Sequence, residues 1–161
     1  MGLPYKIRPI DEDDRAWVAG LLKEWWEGPK VVTRGKIYRA DELPGFLAVM
    51  ERERAGLVTY KITGNECEIV SMNSLAEGKG VGSALIDAVK NVAVKAGCKR
   101  LRLITTNDNT AAMIFYQKRG FRLVAVHRNA VEESRRLKPE IPAIGNDGIP
   151  IRDEIELEML L

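Results

Sequence analysis

One histidine and two cysteines are all that this chain of 161 residues offers as soft metal ligands. Sites built on two histidines are excluded, and His127 leaves room for a single histidine-based triad. It stands in "FRLVAVHRN", where a strand is ending, and reads as a solvated strand-end side chain. Cys67 and Cys98 are too few for a disulfide framework and show no zinc spacing, so they read as reduced, buried small hydrophobes. No metal is expected. Apolar runs are short as well, none approaching the roughly 20 residues of a membrane span. The opening "MGLPYKIRPIDEDD" has no apolar core of signal-peptide length, and Tyr5 and Lys6 stand where a myristoylation pattern wants Ser or Thr nearby. A cytoplasmic protein without a membrane partner is expected. Long basic runs are missing too. A net charge of +2 argues against a nucleic-acid partner while leaving small phosphorylated ligands open.

What is present is an ordinary globular mixture, 45% apolar and 30% charged, long enough for one domain over residues 1–161. "YKIRPI" alternates as a first strand, and "DEDD" supplies capping carboxylates. Trp17, Leu21 and Trp25 recur at spacing four, with Val18 and Leu22 beside them, so one apolar helical face runs to Gly28-Pro29. Residues 30–44 predict a loop and a short helix around Ala40 to Leu43. "FLAVMER", "AGLVTYKIT" and "ECEIVSMNSL" are three strands whose short links require antiparallel pairing. From Val81 the apolar positions 81, 84, 85, 88, 89 and 92 mark a helix that stops near Gly97. Strand "RLRLITT", helix "NTAAMIFYQKRG" and strand "FRLVAVHR" follow, then a short helix and a loop rich in proline and glycine. The closing "RDEIELEML" alternates Ile155, Leu157 and Met159 against Glu154, Glu156 and Glu158, which predicts a strand whose glutamates form a wet edge.

"EGKGVGSAL" places Gly78, Gly80 and Gly82 between a strand and a helix N-terminus. Unpaired amides and the helix dipole favour an anion there, and the absence of β-carbons allows close approach of phosphate oxygens. Ser83 can add a hydroxyl donor and Lys79 a charge. The bare alternative is a tight turn without a ligand. A P-loop would need Gly-Lys followed by Ser or Thr, whereas Lys79 precedes Gly80. A dinucleotide fingerprint would need a parallel unit and an acidic residue about 20 positions onward, where this chain reads "LRLI".

The segment "NDNTAAMIFYQKRGF", through Asn109, Ala112, Phe115, Tyr116, Gly120 and Phe121, resembles the one that follows the acyl-CoA site in the GNAT acetyltransferase superfamily. Gly80 and Gly82 occupy the glycine positions of that family's Arg/Gln-x-x-Gly-x-Gly/Ala signature. The resemblance runs from about Ile7 to Phe121 and, more loosely, through the last strand. It implies an α/β (α+β) GNAT fold, a mixed central sheet splayed in the middle with helices on both faces. Glu77 departs from the pattern, standing where the family has arginine or glutamine, in a loop about two residues shorter. Either Glu77 points to solvent or Lys79 compensates.

The same resemblance implies acetyl-CoA as co-substrate, in a V-shaped opening between the strand ending at Leu75 and the strand around Leu101 to Thr105. Its pantetheine would pair like an extra strand with backbone near Met72, Ser74 and Leu75. Its pyrophosphate would meet amides of Gly78, Lys79, Gly80, Val81, Gly82 and Ser83. Asn109 serves equally as a pantetheine contact and as a helix cap. For direct attack of an amine on the thioester, Tyr116 is the expected acid. Glu68 is the expected base, with Glu66 on the same strand face and water as alternatives, and a backbone amide near Ser74 would meet the carbonyl oxygen. The acceptor amine is expected against the first helices and the late loop, near Trp25, Trp26, Arg34 and Tyr38 and residues 139–154. Acids there, Asp147, Asp153 and Glu154, suit a cationic amine. The reading is an N-acetyltransferase of a small-molecule or peptide amine. A protein acetyltransferase and a non-catalytic acyl-CoA-binding module stay open, as does a homodimer.

Overall fold

A computed structural model describes residues 4–76 and 78–161. Glu77, the departure from the glycine signature, lies outside the described residues. Seven strands form one sheet in the order β1-β4-β5-β6-β7-β9-β8: β1 Lys6–Pro9, β4 Gly45–Met50, β5 Glu53–Thr63, β6 Glu66–Ser74, β7 Arg100–Thr106, β8 Arg122–His127 and β9 Glu154–Leu160. Strands β4, β5 and β6 pair antiparallel, as their short links require. β6 and β7 are joined through helix α2, Val81–Lys95, and pair parallel.

Helices cover both faces. On one, Val81, Leu85, Ile86, Val89 and Ala93 of α2 pack on Ala48, Val58, Cys67, Ile69, Leu101 and Leu103 of the sheet. Helix α3, Thr110–Lys118, joins them through Tyr116. On the other face α1, Arg15–Trp26, buries Val18, Leu21 and Leu22 against Leu47, Leu57 and Val70. The expected stripe of α1 runs out at its end, where Trp25 is 57% exposed. Both cysteines are free and buried. No helix among the described residues is long and apolar enough to cross a membrane.

Two expectations are corrected. Residues 30–44 hold no helix: residues 30–39 form an antiparallel hairpin, β2 Lys30–Thr33 and β3 Lys36–Arg39, and residues 40–43 make a turn. Arg34 and Gly35 turn it, both at positive φ (50° and 73°), the geometry of a two-residue hairpin turn. The usual Asn-Gly signal is replaced by Arg-Gly, which hid the turn. The second correction concerns β9. It is an interior strand between β7 and β8, and its glutamates are no wet edge: Glu154 is 2% exposed and Glu156 8%. Arg100 and Arg102 of β7 take up Glu156 and Glu158, and His127 meets Glu156 Oε1 at 3.0 Å. Burial opposes charge on Glu156, yet His127 and the two arginines hold its carboxyl below its ordinary value.

The start of α1 hangs on Asp14, wholly buried, which accepts from Arg8 (2.7 and 2.9 Å), Arg54 (3.0 Å) and the Asp11 amide (2.9 Å). The Arg8 hydrogen bonds outweigh burial and hold its carboxyl well below the carboxylate range. A depressed carboxyl stabilises fully above its unfolded value near 4, and that contribution drains away as pH falls toward the folded value. Asp14→Ala strands two arginines and should cost about 3 kcal/mol in urea denaturation at neutral pH. The gap between parent and variant should narrow below about pH 4; a gap independent of pH would show that the ion pairs contribute nothing.

Candidate active site

The sheet opens in its middle. β6 and β7 pair only from Glu66↔Arg100 to Ile69↔Leu103. Beyond that point β6 stays on β5 as far as Ser74, and β7 stays on β9 as far as Thr106. At the parting, the β5–β6 register slips so that Val70 has no partner, a bulge that bends β6 away. The Leu75 amide is committed to Ala55 O at 2.8 Å. Alternation along the strand therefore turns the backbone groups of Met72 and Ser74 toward the opening, and the amide of Leu75 away from it. A cavity of about 290 Å³ fills the fork, walled by Val70, Ser71 and Met72 on one side and by Leu103, Ile104 and Thr105 on the other.

The glycines at its mouth do different things. Gly78 and Gly80 adopt φ of +74° and +78°, conformations that a side chain resists. Gly80 is the N-cap of α2, no side chain among the described residues caps that end, and its carbonyl is held by the Tyr5 hydroxyl at 3.1 Å. The amides of Val81, Gly82 and Ser83 are thus open to an anion. Gly82 serves packing instead: a β-carbon there would lie 2.8 Å from Phe115 Cζ. Lys79 is exposed beside the turn. Sequence reading missed Arg119, which looked like the ordinary basic last turn of a helix. Its Nε donates to Ser83 Oγ at 2.7 Å and Nη1 to Phe115 O at 2.8 Å, while its guanidinium lies 3.5 Å from the centre of the Phe115 ring. A second cation therefore stands at the α2 N-terminus.

Helix α3 contributes the far wall. Asn109 caps it through Oδ1, accepting from the Ala112 amide at 3.2 Å, and also lines the fork cavity. Tyr116 lines the same cavity, 7% exposed, wedged edge-on between Phe115 and Phe121. Its hydroxyl has only a weak acceptor, Met72 Sδ at 3.9 Å. Burial pushes its pKa up, opposed only by the charge of Arg119. Such a phenol keeps its proton near neutrality.

Glu68 is elsewhere. It lines neither this cavity nor its neighbour, and its carboxylate accepts from Tyr38 Oη (2.9 Å), Arg102 Nη1 (2.8 Å) and Thr33 Oγ1 (3.5 Å). Burial, then the Glu68 charge, pushes the Tyr38 hydroxyl up to about 12. Glu66 is taken by Arg100. Glu68 fastens the hairpin to the sheet, and neither glutamate lines the fork.

A second cavity of about 340 Å³ adjoins the first, sharing Trp26, Ile104, Thr105 and Asn109 with it. The hairpin, the end of α1, helix α4 (Ala130–Leu137) and the loop after it enclose this space. Trp26 is fixed at the junction by its Nε1 bond to Asn73 Oδ1 at 2.9 Å. Of the acids expected on this side, Glu154 lines the cavity. Asp153 is turned to the Asn129 amide and Arg152, and Asp147 is exposed. Of the other acceptor-side residues, Trp25 lines it, while Arg34 and Tyr38 do not. Among the described residues no group of three or more His, Cys, Asp or Glu is arranged to hold a metal ion.

A mixed sheet forked beside an open helix N-terminus offers unpaired backbone to a ligand, and comparison with known proteins shows the family. Residues 8–121 match the family model for the Acetyltransferase (GNAT) family, and the chain belongs to that family. It is 48% identical over 150 residues to the uncharacterized protein YdhI of Bacillus subtilis (strain 168), covering 92% of this chain and 94% of that one. Among solved structures, a Bacillus subtilis acetyltransferase in complex with CoA has the same fold, with a TM-score of 0.69 at 22% identity. A GNAT family acetyltransferase from Elizabethkingia anophelis with acetyl-CoA bound superposes with 0.70 at 21%. Each alignment covers 98% of this chain and 99% of the other.

The packing role of Gly82 is directly checkable. Gly82→Ala must push Phe115 aside and should lower stability by about 1–3 kcal/mol in urea denaturation. An unchanged midpoint would mean that the contact between α2 and α3 yields freely.

Proposed function

We propose that the protein transfers the acetyl group of acetyl-CoA to an amine by direct attack. The observation that carries this reading is the fork itself: Met72 on the unpaired edge of β6 and Tyr116 line one cavity, and the α2 N-terminus adjoins its wall, Gly82 lying against Phe115 and Met72. The CoA and acetyl-CoA carried by structural neighbours support the same ligand. The residues fit it. The open edge of β6 suits an amide-bearing arm, and the amides of Val81, Gly82 and Ser83 with Lys79 and Arg119 suit a pyrophosphate. Asn109, its Oδ1 used for capping, keeps its amide nitrogen for the arm.

Acetyl-CoA supplies the activated acyl group. The nitrogen lone pair forms the new C–N bond as the C–S bond breaks with its electrons on sulfur. Tyr116 gives its proton to that sulfur, the proton lost by nitrogen passes to solvent, and Tyr116 recovers a proton from solvent before the next turnover. Glu68, bound by three donors of the hairpin and β7, acts on this reaction by positioning the hairpin.

The test is a screen of amines with acetyl-CoA, reporting free thiol. Tyr116→Phe keeps the ring and removes one proton, so kcat should fall by about tenfold to a hundredfold, the low end of general acid catalysis because a thiolate leaves readily. Acetyl-CoA affinity should stay within about threefold, because the phenol acts only as the bond breaks. Equal kcat, with chemistry limiting, would remove Tyr116 from the mechanism. If the parent turns over no amine yet binds acetyl-CoA, the protein is a binding module.

Arg119→Ala addresses the anion site separately. Loss of a charge at the α2 N-terminus should weaken acetyl-CoA by about tenfold, or about 1.4 kcal/mol, at low ionic strength, and by less at high salt. Unchanged calorimetric affinity at low salt would place the pyrophosphate elsewhere.

A further inference from the structure

The cavity next to the fork has an unusual charge balance. Its charged lining is Glu27, Asp108 and Glu154 against Lys138. Asp108 is 4% exposed and Glu154 2%. Asp108 accepts from Thr106 Oγ1 and from the Asn146 amide at 3.0 Å. Glu154 accepts from the Arg34 amide at 2.9 Å and from Ser134 Oγ at 3.0 Å. All four donors are neutral. The ion pairs found among the described residues include neither carboxylate. Their neighbours on the same sheet, Glu68 and Glu156, are each matched by arginine. Lys138 gives no compensation to them, since its Nζ donates to the carbonyls of Trp26 and Lys30. Buried negative charge without a counter-ion is expensive, and a cation entering the cavity would offset it.

Position adds a second constraint. Asp108 and Glu154 line the acceptor cavity and not the fork, whereas Trp26, Ile104, Thr105 and Asn109 line both. A nitrogen attacking a thioester must be neutral, so the nitrogen held as ammonium by the carboxylates is not the one that reacts. Val32, Ile104 and Trp26 line the same cavity as the carboxylates, and the last two also line the fork, a surface suited to methylene groups and, at the indole, to a cation. About 340 Å³ suits a small ligand.

We propose that the acceptor is an aliphatic di- or polyamine, its distal ammonium held at Asp108 and Glu154 while its other nitrogen reaches the fork past Trp26. This rests on the acetyl-transfer reading above and names the substrate class for it. Of the two carboxylates Glu154 also ties the hairpin turn to α4, so Asp108 is the better one to vary.

The experiment is calorimetry of the full chain saturated with CoA, titrated with 1,4-diaminobutane, n-butylamine and 4-amino-1-butanol. The diamine should bind at least about tenfold more tightly than either monoamine, a difference of about 1.4 kcal/mol. Asp108→Asn should remove most of that preference while leaving the monoamines within about threefold, and the exposed Asp147→Asn should keep it. Equal binding of the three amines by the parent overturns the proposal. So does a preference that survives in both Asp108→Asn and Glu154→Gln. Acetylation of n-butylamine as readily as the diamine overturns it while leaving acetyl transfer standing. Tight diamine binding with no thiol release from acetyl-CoA upholds the cation site and removes the transfer reading instead.

Discussion

The structure depends on two neighbouring strands that part while each keeps its outer partner. β6 and β7 share four pairs and then diverge, held apart because β5 claims one and β9 claims the other along their full lengths. Backbone groups inside a sheet are almost always paired, so an unpaired stretch in the middle of one is a standing demand for a partner. The Val70 bulge places that stretch next to the start of α2, where three further amides are open. One fork thus gathers two kinds of unsatisfied backbone, and the ligand class follows from that gathering rather than from any single side chain.

Everything on the acceptor side is attached to the opposite face of the same strands through carboxylates. Glu68 holds β2 and β3 through Thr33 and Tyr38, and Glu154 holds their turn and α4 through the Arg34 amide and Ser134. The hairpin is too small to make a core by itself. Val31 and Tyr38 join the apolar cluster under α1, and the carboxylates settle where the hairpin lies over it. Arginines pair with Glu66, Glu68, Glu156 and Glu158 toward the closed end of the fork, and among the described residues none pairs with Glu154 toward its open end. The same strands therefore give a foundation of arginine-paired carboxylates at one end and a net negative cavity at the other.

Arg119 illustrates how local and distant demands combine. It ends α3 as a basic residue should, favourable to the helix dipole. Stacked on Phe115, it also reaches Ser83 on α2, so one residue joins two helices and brings charge to the anion site.

Much of this was legible in the sequence because it is local. The alternation of β5, β6 and β7, the apolar spacing of α2, and the glycines ahead of Val81 follow from periodicity and turn chemistry within a few residues. Together with "NDNTAAMIFYQKRGF" they were enough for the family and for the wall carrying Asn109 and Tyr116. Contacts across the chain were not legible. The alternating glutamates of β9 looked like a solvated face, since nothing within "RDEIELEML" tells that Arg100 and Arg102 lie one strand away. Glu68 looked like a base because its strand reaches the fork, while Tyr38 and Arg102, far apart in sequence, take its carboxylate. Asp108 carried no signal in the sequence, and it is a wall of the acceptor cavity because the loop around Asn146 folds back onto it. Periodicity determines which face of an element is apolar; which charge meets which is settled only by the register and packing of elements distant in the chain.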